Sequence, residues 1–357
     1  MISVIIVNYG SARQTERAVD SVLKSGTEIE IVVVDNTCTA VEREALDGMR
    51  RTYGFGLILN DKNVGFAKAC NQAFACSKGD YVFLLNPDAF VMPSCLRILR
   101  DFLENVPAAG SASPQVYWDD EMRYFFPRYT LPSPSMDFCV RLASLSRTFR
   151  TIYSLLERRK NLKLWKSSAP FEVNNLHGGA VMLRRSAVER AGGLFDERFF
   201  LFYEDTDLFL RLRKRGYRLY TVPGARAVHN YSHSEKKIEI MSKTGRLYYE
   251  KHFCRSFLLR ISSLLPEGPM EGGYHDYGTW SAPPSFPVPY ALPDNYLFEW
   301  SPNPLFVPSI GCFGKGQRFD LSSQVWDLLD NGRYYIRLTP PSCGTLRHTT
   351  GFWRKEA

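Results

Sequence analysis

The chain has 357 residues, of which 45% are hydrophobic and 23% charged, and its formal net charge is +8. This length favours two domains, or one large domain with an appendage, and the composition is typical of a globular protein. No stretch reaches the roughly 18 consecutive apolar residues that a membrane-spanning helix needs, and the first apolar run, residues 2–7, is too short for a signal peptide. We therefore expect a cytoplasmic protein.

The first half of the chain alternates short apolar strands with amphipathic helical patterns. Strands are predicted at 3–9, 30–36, 55–60 and 81–87, and helices at 13–24, 40–51, 66–77 and 93–105. Such alternation favours right-handed crossovers and an α/β fold with a mostly parallel central sheet. Pro93 fits the first turn of the fourth helix, where no backbone donor is needed.

The apolar run YVFLL at 81–85 leads directly into Asn86, Pro87 and Asp88. Ligands of open α/β sheets bind beyond the carboxyl ends of the strands. Pro87 stops the ladder of hydrogen bonds, so Asp88 is presented on a turn. We predict that Asp88 holds a divalent cation, Mg²⁺ or Mn²⁺, against a diphosphate.

The rest of the chain is less regular. Residues 110–135 are rich in Pro, Ser and aromatic residues, which indicates loops and at most a short hairpin. A basic helix is predicted at 139–165, and strands and helices alternate again between 176 and 234. The expected domains are 1–265, a Pro/Gly/Tyr-rich linker at 266–295, and a small β-rich accessory module at 296–357.

Seven motifs follow one another along residues 4–229: VIIVNYG, VVVDN, NVGFAKACNQA, FLLNPDAF, HGGAVMLRR, GLFDERFFLFYEDTDLFLRLRKRGYRL and AVH. In this order and spacing they resemble the family-two inverting glycosyltransferases, most of all the rhamnosyltransferase-like branch with its GT-A nucleotide-sugar fold. The resemblance covers residues 1–255. It implies transfer of a sugar from a nucleoside diphosphate to an acceptor hydroxyl, with inversion at the anomeric carbon.

Residues at the ends of the first three strands are candidates for binding the donor nucleotide. Asp35 can accept a hydrogen bond from N3–H of uracil or thymine, with capping of the next helix as the alternative role. Asn8 and Tyr9 end the first strand and can pack against a base. Gly65 permits close approach to the nucleoside, and Asn63 is either a ligand contact or a turn residue.

The resemblance also assigns the metal site. Many family members carry Asp-x-Asp here, but this chain has Asn86 at the first position, as the resembling branch commonly does, which leaves Asp88 as one strong ligand. We predict that Asn86 lies against the donor nucleotide. His229 matches the later metal-ligand histidine of the family, and His233 is a lesser candidate; a purely structural histidine is the alternative.

Register with the family makes Asp205 the catalytic base and Glu204 its neighbour and second choice. An inverting transfer needs a carboxylate to take the proton of the acceptor hydroxyl. The preceding aromatic run FFLFY reduces solvation, which raises the pKa of a carboxyl group. Asp207 is expected to cap the next helix, and capping by all three acids is the alternative. Gly178 and Gly179 would leave space for the donor sugar.

The basic helix concentrates the positive charge of the chain. Residues 141–166 contain eight basic residues and one acidic residue, a net charge of +7. An apolar stripe lies along it: Leu142, Leu145, Phe149, Ile152 and Leu156. A basic amphipathic helix can lie on an anionic membrane surface, and a core-packed helix with a solvated basic face is the alternative. No recognised nucleic-acid-binding motif accompanies the charge.

The sequence therefore predicts a metal-dependent inverting glycosyltransferase that uses a dTDP- or UDP-sugar, with dTDP-rhamnose as the leading donor. The expected acceptor is a hydroxyl of a growing, lipid-linked cell-surface polysaccharide, and the expected location is cytoplasmic, with peripheral membrane contact as a further possibility. A catalytically inactive glycan- or nucleotide-binding subunit is the alternative. The C-terminal aromatics are expected to be either a sugar platform or core: Trp300, Trp326, Tyr334, Tyr335 and Trp353.

Overall fold

The computed structural model describes residues 1–231, 235–266, 268, 270, 273–289, 292, 295–341 and 349–356. The chain forms two compact units. The first unit contains residues 1–116, 168–231 and 235–251, and the second contains 117–167, 232–234 and 252–357. This division differs from the predicted one, because the segment 139–165 groups with the C-terminal residues and not with the first domain.

The first unit is built on a parallel α/β core, as the sequence predicts. Four parallel strands lie in the order β4-β1-β2-β3. Their bounds are β1 Ile2–Asn8, β2 Ile29–Asp35, β3 Gly56–Leu59 and β4 Tyr81–Leu85. The connecting helices are α1 Ala12–Leu23, α2 Ala40–Tyr53 and α3 Phe66–Cys76.

Both faces of this sheet are buried, which explains the continuous apolar runs of its strands. Alternate residues of β1 enter two different cores: Ile2, Val4 and Ile6 pack in one, and Ile5 and Val7 in the other. The predicted α/β class with a parallel core sheet is therefore confirmed.

The remaining elements of the first unit continue the sheet beyond β4. They are β5 Ala89–Val91, α4 Cys95–Asn105, β6 Ala109–Tyr117, β8 Phe171–Val173, β9 Ala180–Arg184, α7 Arg185–Arg190, α8 Glu204–Lys214, β10 Arg218–His229 and most of α9 Glu235–Phe253. Strand β9 runs antiparallel to β4 and to β6, and β10 pairs with β5, β6 and β8. Helix α4 begins at Cys95, so Pro93 precedes it and does not occupy its first turn.

Strand β6 corrects the prediction of loops at 110–135. Its nine residues, AGSASPQVY, are all buried. The hydroxyl groups of Ser111 and Ser113 donate hydrogen bonds to the backbone carbonyls of Met182 and Ala180, at 3.0 and 3.1 Å. Because these bonds satisfy the small polar side chains, the segment can be buried although its composition is typical of a loop.

In the described part of the chain, the second unit contains a mixed sheet, a separate two-stranded antiparallel sheet and four helices. Its sheet has the order β11-β17-β16-β13-β14-β7. The strands are β7 Tyr124–Phe125, β11 His275–Trp280, β12 Ser285–Pro287, β13 Tyr296–Ser301, β14 Ile310–Gly314, β15 Arg318–Asp320, β16 Gly332–Thr339 and β17 Thr349–Lys355. The helices are α5 Pro134–Leu145, α6 Arg147–Trp165, α10 Phe257–Leu264 and α11 Ser323–Leu328. The predicted linker at 266–295 therefore contains two strands, β11 and β12.

The predicted basic helix is two helices, and three of the five residues of its apolar stripe are exposed. Ser146 separates α5 from α6, and its side chain accepts a hydrogen bond from the backbone N–H of Phe149. Leu145, Ile152 and Leu156 are between 43% and 50% exposed. The buried face of α6 consists of Tyr153, Ser154, Glu157, Arg158, Asn161, Leu162, Leu164 and Trp165.

A buried ion-pair network explains why a face of α6 that contains charged residues is buried. Glu299 on β13 is fully buried and lies between two guanidinium groups, Arg158 Nε at 2.7 Å and Arg337 Nη2 at 2.8 Å. Arg158 also donates to the Thr339 hydroxyl. One of the eight basic residues at 141–166 is therefore buried inside the unit, and the charge of +7 overstates what this segment presents to solvent.

The C-terminal aromatics belong to the core of the second unit. All five candidates for a sugar platform, Trp300, Trp326, Tyr334, Tyr335 and Trp353, are buried. Trp353 stacks on Trp326 with ring centroids 5.7 Å apart and packs against Tyr334. Because all five rings are buried, they do not form an exposed sugar-stacking surface. No described helix is long and apolar enough to cross a membrane.

Candidate active site

The candidate residues of the first unit gather at the carboxyl ends of its parallel strands. Asn8 at the end of β1 is level with Asp35 at the end of β2, and Asn86 follows β4 directly. On the other side, His229 at the end of β10 pairs with Ala89 of β5. Residues far apart in sequence thus reach the edge where ligands of such sheets bind.

Asp35 presents a buried carboxylate oxygen that has no partner among the described residues. Its Oδ1 accepts hydrogen bonds from Asn8 Nδ2 at 3.0 Å and from the backbone N–H of Thr37 at 2.9 Å. Its Oδ2 is buried and unpaired. Because an unpaired buried acceptor is costly, this atom indicates a place for a donor group of a ligand.

Asn8 and Tyr9 have different surroundings. The Asn8 side chain is fully buried and also donates to Thr37 and Glu42, so it orients Asp35 and leaves no free donor for a base. Tyr9 is 63% exposed at the end of β1, where its ring is accessible to a ligand.

Asn63 and Gly65 shape the loop before α3. Asn63 Oδ1 accepts the backbone N–H of Gly65 at 3.0 Å, which is the contact of a turn residue. Gly65 has a φ of +88°, and a Cβ atom there would lie 2.8 Å from the backbone oxygen of Phe200. Glycine is thus required by the approach of the Phe200 loop, whose carbonyl accepts the N–H of Phe66 at 2.7 Å.

Asp88, His229 and His177 form a connected hydrogen-bond chain. Asp88 Oδ1 lies 3.0 Å from His229 Nε2, and His229 Nδ1 lies 3.0 Å from His177 Nε2. The backbone N–H of Gly179 donates to His177 Nδ1 at 2.8 Å. Neutral His177 therefore carries its proton on Nε2 and donates it to His229, whose own proton points from Nε2 to Asp88.

The charges of this chain follow from burial and proximity. Burial, and then the neighbouring His229 ring, hold the pKa of His177 well below its ordinary value, so His177 is neutral. For Asp88, burial opposes ionisation, but the neighbouring His229 ring and its hydrogen bond outweigh it, and the pKa of Asp88 lies below its ordinary value. Asp88 is therefore the anionic end of the chain.

Gly178 and Gly179 connect this chain to the predicted base. A Cβ atom at Gly179 would lie 2.4 Å from His177 and 2.8 Å from His229. A Cβ atom at Gly178 would lie 2.5 Å from Asp205 Oδ2, which instead accepts the backbone N–H of Gly178 at 3.1 Å. Neighbouring glycines thus hold the Asp88–His229 pair on one side and Asp205 on the other.

Asp205 and Glu204 begin α8 and differ in access to solvent. Asp205 is partly exposed, and its Oδ1 accepts from the backbone and the hydroxyl of Thr206. Burial raises its pKa in spite of these bonds. Glu204 is buried with an unpaired Oε2, and burial, then Asp205, raise its pKa well above the ordinary value. Asp205 is thus the more accessible of the two carboxyl groups.

Asp207 does not cap α8. The N-cap position is Tyr203, and the buried Asp207 side chain pairs with Arg211 at 2.8 Å and with Lys251 at 2.6 Å. Arg211 also donates to the backbone carbonyls of Ala191, Gly193 and Leu194. These contacts fix α8 to the neighbouring loop, so Asp207 is structural.

The donor atoms present fit a cation that is bound together with its nucleotide. Among the described residues, no group of three or more His, Cys, Asp and Glu side chains could hold a metal ion. Two neighbouring ligands at about 2.1 Å from Mg²⁺ or Mn²⁺ lie about 3 Å apart, as Asp88 Oδ1 and His229 Nε2 do. A cation at Nε2 displaces the proton of that atom, and phosphate and water would fill the other positions. His233 lies outside the described residues.

The structure thus brings Asn86, Asp88, Gly178, Gly179, Asp205 and His229 together through direct or successive contacts. Asn63 has a turn contact instead. The sequence reading missed His177, although it directly precedes the two glycines that were singled out. Its contact with His229 depends on two strands that are far apart in sequence, so no local sequence pattern predicts this contact.

Comparison with known proteins gives a consistent result. Residues 3–192 match the model of a family described as "Glycosyl transferase family 2". An N-acetylglucosaminyl-diphospho-decaprenol L-rhamnosyltransferase of Mycobacterium tuberculosis is 28% identical over 247 residues, which cover 66% of this chain and 77% of the relative.

Two further relatives carry similar names. Rhamnosyltransferase WbbL of Escherichia coli K12 is 24% identical over 71% of this chain and 91% of its own length. The dTDP-rhamnosyl transferase RfbF of Shigella flexneri is 22% identical over 66% of this chain and 71% of its own length.

Proposed function

Because the chain belongs to glycosyl transferase family 2 and is a rhamnosyltransferase-like enzyme of this family, we propose that it transfers rhamnose from dTDP-rhamnose to a hydroxyl group of a lipid-linked polysaccharide precursor. The observation that carries the proposal is the arrangement around Gly178 and Gly179. These residues hold a partly exposed carboxyl group, Asp205, next to the Asp88–His229 pair. A base and an anion-neutralising group are the two requirements of inverting sugar transfer.

Asp35 supports a pyrimidine donor. Its unpaired Oδ2 can accept N3–H, which thymine and uracil both offer and which cytosine lacks. The names of three relatives specify rhamnose, and one of them specifies dTDP. These observations favour dTDP-rhamnose over a UDP-sugar as the donor.

Asp205 is the proposed base. The raised pKa of its carboxyl group makes the carboxylate a stronger proton acceptor. It takes the proton of the acceptor hydroxyl while the hydroxyl oxygen forms a bond to the anomeric carbon. The bond between that carbon and the diphosphate breaks on the opposite face, and the electron pair leaves with the diphosphate. This single displacement inverts the anomeric centre.

Asp88 and His229 are the proposed metal ligands. A bound Mg²⁺ or Mn²⁺ would neutralise the negative charge that develops on the leaving diphosphate. Asp88 is anionic in its present surroundings, and Asn86 lies beside His229, with its Nδ2 atom 3.5 Å from Nε2. Asn86 is therefore in position to contact the same phosphate group.

The acceptor sets the expected location. The name of the mycobacterial relative includes a diphospho-decaprenol acceptor, and such a lipid is held in a membrane. We accordingly place this enzyme at the cytoplasmic membrane surface, as a peripheral protein.

The first experiment measures the shift of the thermal unfolding midpoint with a panel of nucleoside diphosphates and sugar nucleotides, each with and without Mn²⁺. We expect the largest metal-dependent shift with dTDP-rhamnose. Asp88→Ala should lose the metal-dependent part, whereas Asp80→Ala, at the opposite end of β4, should keep it. Equal shifts in both variants would remove Asp88 from the metal site.

Turnover separates the enzyme from the inactive-subunit alternative. Release of dTDP from dTDP-rhamnose in the presence of a polyprenyl-diphospho-sugar acceptor supports the proposed transfer. Donor binding without release, in any acceptor mixture, would favour the glycan- or nucleotide-binding subunit. A larger thermal shift with UDP-sugars, together with turnover of UDP-sugars alone, would show that the donor is a UDP-sugar and that the reaction is still sugar transfer.

A further inference from the structure

Helix α10 in the second unit exposes large apolar side chains that a water-facing helix normally avoids. Phe257 is 73% exposed, Leu264 is 82% exposed and Leu258 is 38% exposed. Phe257, Arg260 and Leu264 are at positions i, i+3 and i+7, so these three side chains share one face of the helix. Clustered apolar exposure of this kind marks an interaction site, whereas single exposed residues do not.

A fourth exposed apolar side chain, Leu145, lies next to the end of this helix. Helix α10 packs against α5, whose last residue is the exposed Leu145. Gly268, four residues after Leu264, donates its N–H to the Ser144 hydroxyl at 3.3 Å, and its Cβ position is 3.4 Å from Leu145 Cα. The C-terminal ends of α5 and α10 therefore meet, and their exposed leucines belong to the same region.

Basic residues surround these side chains. Arg255 and Arg260 are exposed and form no ion pair with any carboxylate in the described parts of the chain. Arg147, the first residue of α6, lies two positions after Leu145. No acidic residue occurs between His252 and Pro266. The nearest acid of α6, Glu157, is buried and bonded to Arg128 and Lys160. The region is thus apolar at its centre and positively charged around it.

We infer that this apolar–basic surface, formed by Leu145, Arg147, Arg255, Phe257, Leu258, Arg260 and Leu264, binds an anionic lipid bilayer. The apolar side chains enter the boundary between headgroups and acyl chains, and the arginines contact phosphate groups of the lipids. Each basic residue near such a surface adds to the attraction. The residues of this surface belong to the second unit, whereas Asp88 and Asp205 belong to the first.

A second copy of this chain fits the surface less well. A two-fold interface would bring the same arginines of both copies together, because each copy presents the same patch. The segment between His252 and Pro266 contains no acidic residue that would compensate them, so like charges would repel. An anionic membrane instead supplies the opposite charge together with an apolar layer.

The inference rests on the membrane location in the proposed function but not on the sugar or the base of the donor. The test therefore uses the full chain and vesicles without donor or acceptor. Flotation compares vesicles of phosphatidylcholine alone with vesicles that contain roughly one third phosphatidylglycerol. We expect the protein to float with the anionic vesicles at low salt, and to do so less as the salt concentration rises.

Two double variants separate the apolar and the electrostatic contributions. Phe257→Ser with Leu264→Ser should weaken binding to anionic vesicles by about tenfold or more, since two large apolar side chains no longer leave water. Arg255→Glu with Arg260→Glu should abolish the preference for anionic lipid. The matched controls are Val41→Ser, which is 78% exposed on α2, and Arg215→Glu after α8; both should bind as the original chain does.

Unfolding midpoints and the donor-induced thermal shift are measured for every variant, so that a loss of binding is not confused with misfolding or with failure of the proposed donor. The inference is overturned if the folded chain does not float with anionic vesicles, or if the Phe257/Leu264 variant floats unchanged. A concentration-dependent increase in mass that this variant abolishes would assign the surface to a second copy instead.

Discussion

The backbone N–H of Gly178 donates a hydrogen bond to Asp205 Oδ2 at 3.1 Å, and a Cβ atom on residue 178 would lie 2.5 Å from that oxygen. The contact joins the loop before β9 to the first turn of α8. It holds the Asp205 carboxyl group at a distance where a residue larger than glycine would not fit at position 178. The position of the proposed base therefore depends on a glycine 27 residues away in sequence.

Gly178→Ala should displace the Asp205 carboxyl group and reduce the turnover number about 100-fold, because small misplacements of a reacting group cost rate of this order. The thermal shift with dTDP and Mn²⁺ should persist if the nucleotide site is intact. Gly48→Ala is the control, since its Cβ atom would have no neighbour within 4 Å in the middle of α2. The control should keep its turnover; equal losses would contradict the role of the glycine.

Asp205→Asn should reduce the turnover number by roughly 100-fold to 10,000-fold, because the amide cannot accept the acceptor proton. Donor affinity, measured by calorimetry, should change little. Glu204→Gln is the matched comparison, because Glu204 is the buried neighbour and burial, then Asp205, raise its pKa well above the ordinary value. If Glu204→Gln is the slower enzyme, the two roles are exchanged.

The same pair should give the free energy of unfolding a specific pH dependence. Burial, then Asp205, raise the pKa of Glu204, so the folded chain retains a proton that the unfolded chain loses near pH 4.3. Stability is therefore highest below the pKa of the unfolded state and decreases as pH rises through the pKa of the folded state. Glu204→Gln should flatten this decrease, as measured by urea unfolding at a series of pH values. Parallel curves for both proteins would contradict the buried neutral carboxyl group.

Asp35→Asn should weaken binding of dTDP and of UDP by about tenfold or more, since a hydrogen bond to a charged acceptor contributes roughly 1.5–3 kcal/mol. Thymine and uracil both present N3–H, so the substitution should weaken binding of dTDP and UDP alike. Cytosine lacks this donor, so the carboxylate of Asp35 should give CDP no additional affinity. Turnover at saturating donor should change little, because the base lies away from the reacting carbon. Calorimetric titration of the three nucleotides decides this, and an unchanged dTDP affinity would assign Asp35 to a structural role.

Glu299→Ala should destabilise the second unit by about 3–5 kcal/mol, because Arg158 and Arg337 would remain buried without their counter-ion. Arg159→Met, at the next position on α6, removes an exposed charge and should change the free energy of unfolding by less than about 0.5 kcal/mol. Urea unfolding followed by tryptophan fluorescence measures both. Similar small changes would mean that the network contributes little net stability.

The sequence predicts the parallel core of the first unit well, because strands such as β1 and β4 have apolar runs that match burial on both faces. Strand β6 could not be predicted in this way. Its serines are satisfied by carbonyls of β9, which is distant in sequence, so a local reading finds only residues typical of loops. Helix α6 was misread for a related reason, since its buried face is defined by the partner charge on Glu299.

The candidate site shows the same limit. Asp88, Asp205 and His229 follow from motifs and strand ends, and their catalytic and metal roles remain predictions. His177 and the hydrogen-bond role of Gly178 depend on distances between loops that no single motif encodes. The nucleotide contact of Asn8 stays a prediction, and the hydrogen bond from its buried amide to Asp35 could not be read from the sequence. Side chains at the sheet edge can be listed from sequence, but their mutual contacts cannot.

The separation of Asp88 and His229 by 141 residues has a consequence for synthesis of the chain. At about 5–20 residues per second, a ribosome makes His229 roughly 7–28 seconds after Asp88. Strand β4 also cannot complete its pairing until β9 has been synthesised, because Val82 pairs with Leu183. Until then, the apolar edge of β4 can pair with other chains. Nascent chains that stop before β9 should therefore depend on chaperones, and slower translation through residues 86–180 should increase their aggregation.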